Sequence, residues 1–312
     1  MKKFLLLGGA TLLAAALALP WLRSDEHAVL DAAARSKEPG SYVSLSQGVV
    51  HYQLAGPADG KPVVLVHGYS VPSYVFDSTL RALSGAGYRV VSFDLYGRGL
   101  SDRPRVRYDR DLLAQQLGEL MDALHMPKAD LVGLSMGGAV VGRFVASHPE
   151  RVRSLVLIAP FTEAQDISVM GWPVLGDWIF WSWFLPSLPQ HQGEDFAHPE
   201  RFPDWASRFR PQMRYQGYGQ ALLSTGRNLI TVASLPDFGK VGKQGTPTLL
   251  LWGDHDATIA YALSAKVQQA IPQARLVTLP GLGHLPVVED PPAANEPIIE
   301  FLRAQDQAVA PG

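Results

Sequence analysis

A chain of 312 residues, 47% hydrophobic and 18% charged, can bury a large core, which excludes a disordered, collagen-like or small disulfide-stapled protein. A net charge of −2, with the charges dispersed, offers no basic stripe to neutralise a phosphate backbone, so nucleic acid is not an expected partner. With no cysteine, disulfides, thiolate metal sites and Cys nucleophiles are excluded, and the chemistry falls to Ser, His and carboxylates.

The chain opens with Lys2 and Lys3, followed by an uncharged apolar stretch over residues 4–22 that suits a secretory signal or a membrane anchor. Ala16-Leu17-Ala18 has the small-x-small form of a cleavage site, while the length of the stretch suits an uncleaved anchor. Either reading leaves the folded part outside the cytoplasm, in the cell envelope, with possible membrane association through residues 4–22. Residues 23–40 mix charge with Ala, end at Pro39-Gly40, and read as a linker.

Residues 42–46 and 49–54 alternate around Gly48 and predict a hairpin. Short, almost continuously apolar runs follow at 63–66, 90–93, 130–133, 155–158, 248–252 and 276–279, the pattern of strands covered on both faces. Helical periodicity lies between most of them, at 74–83, 112–124, 139–147, 262–271 and 298–304. This alternation predicts an α/β fold with a mostly parallel sheet flanked by helices. Roughly 85 residues separate the 155–158 and 248–252 strands, too many for a simple crossover. A helical cap over 161–240 is therefore expected, inserted into a core made of 41–160 and 241–312. The cap carries Trp172, Trp178, Trp181, Trp183 and Trp205, which could line a pocket or simply form the cap's own core.

The most specific motif is Gly133-Leu134-Ser135-Met136-Gly137, where a buried strand should turn sharply into a helix. Such a turn needs small residues two before and two after the serine, and it exposes the hydroxyl at a helix N-terminus that favours developing negative charge. A serine nucleophile requires a base. His284 follows the last predicted strand and should lie at the same sheet edge as Ser135, whereas His67, beside Gly68, reads as turn-shaping. His125, His148, His191 and His198 read as surface or helix-end residues. The base needs a carboxylate, and Trp252-Gly253-Asp254-His255-Asp256 supplies two. Asp256 is preferred because Asp254 follows the strand too closely to reach across, with Glu163 or Asp166 as lesser alternatives. The Asp254-His255-Asp256 run lacks a partner cluster with metal-ligand spacing, so no metal site is expected. The Met136 N–H, together with the Tyr69 N–H on the His67-Gly68-Tyr69-Ser70 turn, is the expected oxyanion hole.

With Ser135, Asp256 and His284 in that chain order, and His67-Gly68 upstream, residues 41 to about 304 resemble the α/β-hydrolase fold family. Asp94-Leu95-Tyr96-Gly97-Arg98-Gly99-Leu100-Ser101 is similar to that family's D-x-x-G-x-G-x-S loop, whose role there is structural. The Gly133–Gly138 elbow and the inserted cap are similar to those of serine esterases and monoacylglycerol-lipase-like enzymes. The resemblance implies a serine hydrolase of carboxylic esters, with hydrophobic acyl or aryl substrates, a Ser-His-Asp triad, an acyl-enzyme and no cofactor. The same triad would also serve cleavage of C–C, amide or lactone bonds, and the fold hosts non-catalytic ligand-binding proteins as well.

Overall fold

The computed structural model describes residues 14–308. Eight strands form one sheet in the order β1-β2-β4-β3-β5-β6-β7-β8: β1 (Ser41–Leu45), β2 (Gly48–Ala55), β3 (Pro62–Val66), β4 (Arg89–Phe93), β5 (Ala129–Leu134), β6 (Val152–Ile158), β7 (Thr248–Gly253) and β8 (Arg275–Leu279). β1 pairs with β2 and β2 with β4 antiparallel, and the remaining five pairings are parallel. The mostly parallel α/β sheet expected from the apolar runs is present.

The continuous apolar character of the central strands has a direct cause. Val64 and Val66 of β3 face one core, while Val63 and Leu65 face a second core on the opposite side, and all four are fully buried. The helices Arg110–Ala123, Met136–Ser147 and Leu235–Gln244 cover the first face through Leu117, Val140, Val141 and Phe238. Helices Asp77–Gly85 and Pro291–Ala308 cover the second through Leu80, Leu83, Ile298 and Leu302. Each such fully buried side chain contributes about 1.5–3 kcal/mol.

The inserted segment is a stack of short helical turns, with π-helical turns at Phe180–Phe184 and Gly226–Ile230. The boundary expected at residue 240 falls inside the helix Leu235–Gln244, which belongs to the core layer. Phe238 is fully buried against Gly142, where a Cβ would come 2.6 Å from the ring. Pro236, Gly239 and Gly242 hide this helix from a propensity reading. Pro236 in fact sits in the first turn, where proline is tolerated, and Gly245, with φ +70°, terminates the helix.

The 23–40 segment is not a loose linker. The Glu26 carboxylate accepts the N–H groups of Gly217 (2.6 Å) and Gly219 (2.5 Å), at the start of the cap helix Tyr218–Thr225. The Ala28 N–H donates to Arg214 O at 2.9 Å, and Gln216 N–H donates to Ala28 O at 2.9 Å. Further on, Arg35 pairs with Asp102 of the core. Upstream, residues 14–23 are helical: Trp178 Nε1 donates to Ala16 O at 2.7 Å, and the Arg23 guanidinium lies 4.8 Å from the Trp183 ring centre. The first part of the 4–22 apolar stretch lies outside the described residues. Among the described residues no helix is long and apolar enough to cross a membrane.

Candidate active site

β5 is buried along its whole length, and Ser135 stands between it and the helix that starts at Met136. Ser135 has φ 55° and ψ −121°, a conformation that L-residues adopt only when their surroundings impose it. Three backbone hydrogen bonds impose it here. The Ser135 N–H donates to Ile158 O at 2.9 Å, and the Ser135 carbonyl accepts from the N–H groups of Gly138 and Phe161, both at 2.9 Å. The flanking glycines are required sterically: a Cβ on Gly133 would meet Gly137 O at 2.6 Å, and one on Gly138 would meet the Pro160 Cβ at 2.6 Å.

The loop after β7 carries Asp256, and the loop after β8 carries His284. Asp256 Oδ1 accepts the N–H groups of Thr258 (2.9 Å) and Ile259 (2.8 Å), which fixes the carboxylate, and Oδ2 lies 2.8 Å from His284 Nδ1. A carboxylate only accepts, so the proton sits on Nδ1 and leaves Nε2 with a free lone pair. Burial alone would lower the His284 pKa, but the Asp256 hydrogen bond and charge, with Asp195 and Glu289 behind them, raise it. Ser135 and His284 line one cavity of about 540 Å³. No hydrogen bond joins them directly among the described residues.

The His284 loop is held by a residue that sequence reasoning missed. Glu289, buried, accepts Gly283 N–H at 2.7 Å through Oε1 and Ala197 N–H at 3.0 Å through Oε2, bridging loop and cap. An acidic residue five positions beyond a candidate histidine carries no distinctive pattern, so nothing in the sequence singles it out.

On the opposite side, Gly68 brings its turn so close that a Cβ there would sit 3.3 Å from Ser135 Cβ. His67 shapes this turn. Its Nε2 accepts Leu95 N–H at 2.9 Å, its Nδ1 donates to Gly68 O at 2.9 Å, and burial drives its pKa down to about 4, so it is neutral. Tyr69 is pinned at both ends: its hydroxyl donates to Leu222 O at 2.8 Å, and its carbonyl accepts Arg98 Nε at 2.9 Å. Arg98, fully buried, also donates to Thr225 Oγ1 at 2.9 Å, so the 94–101 loop ties this turn to the cap. The Tyr69 N–H makes no hydrogen bond among the described residues, and Met136, as the first residue of its helix, has no intrahelical acceptor for its own.

None of the remaining candidates is hydrogen-bonded to His284 among the described residues. Asp254 is bonded to His255 Nδ1 (2.7 Å) and Gly281 N–H (2.7 Å) at the surface, and Glu163 pairs with Lys266. Asp166 accepts the N–H of Ser168, two residues along, at 2.7 Å, and borders a cavity that Ser135 also lines.

Ser135, Met136 and Tyr69 also border a second cavity of about 310 Å³, walled by Phe161, Met170, Phe180, Phe184, Leu223 and Ile230. Both π-helical turns of the cap supply walls, through Phe180 and Phe184 from one and Gly226 and Ile230 from the other. None of the five cap tryptophans lines it. Trp172 and Trp183 are exposed, Trp205 is buried in the cap core, and a Cβ on Gly219 would meet the Trp181 ring at 2.7 Å. The phenylalanines, not the tryptophans, form the aromatic wall.

A family model described as alpha/beta hydrolase fold matches residues 61–291. A protein named non-heme chloroperoxidase from Streptomyces lividans is 27% identical over 277 residues, covering 84% of this chain and 99% of the relative. Lipase 3 from a Moraxella species is 28% identical over 250 residues, covering 74% of this chain and 73% of the relative. Among solved structures, an enol-lactonase from Burkholderia xenovorans superimposes with a TM-score of 0.75 at 22% identity, covering 84% of this chain and 100% of the other. An esterase from Thermogutta terrifontis superimposes with a TM-score of 0.73 at 22% identity, covering 86% and 99%. At these identities the structural matches speak for the fold.

Proposed function

The chain belongs to the α/β-hydrolase fold family, and from that premise we propose that it is a serine hydrolase of carboxylic esters with apolar acyl groups. The observation that carries the proposal is the position of Ser135. It is held in a strained conformation where two cavities meet, one walled mostly by apolar side chains and the other lined by His284, which Asp256 holds from behind.

In the proposed reaction Ser135 Oγ attacks the ester carbonyl as its proton passes to His284 Nε2, and Asp256 stabilises the imidazolium. The tetrahedral oxyanion is received by the N–H groups of Tyr69 and Met136, an arrangement in which each donor is worth roughly 3 kcal/mol of barrier. His284 returns its proton to the departing alcohol, leaving an acyl group on Ser135. Water, deprotonated by the same Nε2, then releases the acid. No further group enters these steps.

The apolar chamber suits the acyl portion, which stays bound through both half-reactions, and the cavity where Gln192, Glu194, Asp195 and His284 stand suits the departing alcohol and the incoming water. The proposal also puts the folded chain outside the cytoplasm, because Lys2 and Lys3 precede the apolar stretch 4–22. The test compares the native protein with Ser135→Ala for turnover of p-nitrophenyl esters and labelling by a fluorophosphonate. Both signals are expected to vanish in the variant, and equal turnover by the two proteins would remove Ser135 from the mechanism.

A further inference from the structure

Three carboxylates approach His284 from three different elements. Asp256, on the loop after β7, bonds Nδ1 directly. Glu289, at the end of the turn Pro286–Glu289, is committed to the Gly283 and Ala197 N–H groups, and it faces His198 and Arg201 on its other side. The third, Asp195, comes from the cap, next to Glu194.

Asp195 stands at the wall of the cavity shared by Ser135 and His284. Two bonds fix it to the loops that carry the acid and the base. Its Oδ1 accepts Thr258 Oγ1 at 2.7 Å, two residues beyond Asp256, and its backbone carbonyl accepts the His284 N–H at 2.8 Å. Oδ2 takes no hydrogen bond among the described residues. Among the described residues no Lys or Arg lines this cavity; His191 and Glu194 also line it, and there His191 is bonded to Ser187 O and faces Glu194. The cation that forms during the proposed reaction is the His284 imidazolium.

A carboxylate without a cationic partner, set beside a group that becomes a cation in the transition state, favours the charged state of that group. The coupling is visible from both sides. Burial raises the Asp195 pKa and the charge of His284 opposes the rise, while burial lowers the His284 pKa and the Asp256 hydrogen bond, together with the charges of Asp256, Asp195 and Glu289, outweighs it.

We propose that Asp195 is a positioning residue of the reaction: a second carboxylate, carried by the cap, whose charge stabilises the His284 imidazolium, so that full activity requires the cap to be seated on the His284 loop. The proposal rests on the ester-hydrolase reading above. Its physical consequence is that the cap does more than enclose substrate, since part of the field that makes His284 a competent base arrives with it.

The test is the pH profile of kcat and kcat/KM on a p-nitrophenyl ester for the native protein and for Asp195→Asn, Asp195→Ser, Asp195→Glu and Glu200→Gln. Asparagine keeps an oxygen for Thr258 and leaves the backbone bond to His284 untouched, so only the charge is lost. Serine is a second charge-free variant, in case asparagine disturbs folding. Removing a negative charge beside His284 lowers its pKa. The acid limb of kcat/KM should thus move to lower pH by about half a pH unit, and plateau kcat should fall about 3- to 10-fold with KM within about twofold. Asp195→Glu is expected to keep the limb near its native position, and Glu200→Gln, which removes an exposed cap carboxylate, should not move it. An unmoved or upward-moving limb in both charge-free variants, or an equal shift in Glu200→Gln, would overturn the assignment. Failure of the underlying reading is seen separately, as undiminished turnover by Ser135→Ala.

Discussion

Gly137 lies against the main chain of Val66: a Cβ at position 137 would sit 2.0 Å from the Val66 carbonyl oxygen. The end of β3 and the start of the Ser135 helix therefore interlock through backbone alone, and no side-chain rotation can relieve an added methyl. Gly137→Ala is expected to cost about 2–3 kcal/mol or more of stability, read from denaturant unfolding, and to abolish fluorophosphonate labelling of any protein that still folds. Native stability together with native labelling would mean that the elbow tolerates displacement.

The two carboxylates after β7 should separate cleanly in kinetics. Asp256→Asn replaces an acceptor with a group that can present N–H to His284 Nδ1, which favours the wrong ring tautomer, and kcat should fall about 10⁴-fold. Asp254→Asn, at a surface site bonded to His255, is expected to stay within about threefold of native. Comparable losses in both variants would contradict the assignment of Asp256.

Chain-length preference should follow the apolar chamber. Each methylene that it buries is worth about 0.8 kcal/mol, so kcat/KM should rise up to about fourfold per added carbon and then level off. Ile230→Trp fills that chamber and should move the levelling point to shorter acyl groups without lowering kcat on acetate esters. A series of p-nitrophenyl esters from acetate to decanoate checks this, and an unchanged levelling point in the variant would show that acyl groups lie elsewhere.

A buried ion pair away from Ser135 should shape stability against pH. His51 Nδ1 lies 2.8 Å from Asp94 Oδ2, and Asp94 also accepts the N–H groups of Ser73 (2.9 Å) and Leu100 (2.8 Å). Burial would raise the Asp94 pKa, yet the bond and charge of His51 hold it down at about 2. Burial would lower that of His51, and Asp94 reverses this and raises it. The Asp94 contribution is complete above its ordinary pKa of 3.8 and fades as pH falls toward 2, whereas that of His51 is complete below its ordinary 6.5 and fades as pH rises through the raised value. The loss of melting temperature in His51→Gln should therefore be largest between about pH 4 and 6.5 and shrink on either side. A loss that stays constant from pH 3 to 9 would show that the pair is not linked to folding.

Legibility in the sequence tracked the range of the forces involved. Ser135 was visible because backbone crowding demands glycine at 133 and 137, a local steric rule. His284 and Asp256 were visible because a parallel sheet brings the loops after β7 and β8 to the same edge as Ser135, so topology alone placed them. Asp195 and Glu289 were not visible. Both make contacts between cap and core, more than 80 residues apart for Ala197 and Glu289, and no periodicity encodes such a meeting. The role of the cap tryptophans stayed open between pocket and cap core for a related reason: residue type announces an aromatic layer, but only packing decides that Phe180 and Phe184 face the chamber while Trp172 and Trp183 face outward. The helix Leu235–Gln244 was obscured by glycines that serve close packing and termination, not a loop.

The attachments of residues 16–28 fall on the cap: Ala16 to Trp178, Arg23 to Trp183, Glu26 to Gly217 and Gly219, and Ala28 to Gln216. A load applied to residues 16–28 is thus borne first by the cap, the roof over the chamber, and is passed toward the β-sheet only after those moorings have parted. Immobilising the protein by that end would strain the roof, whereas grafting it to a support through a surface position on the sheet's helical flanks would leave the roof slack.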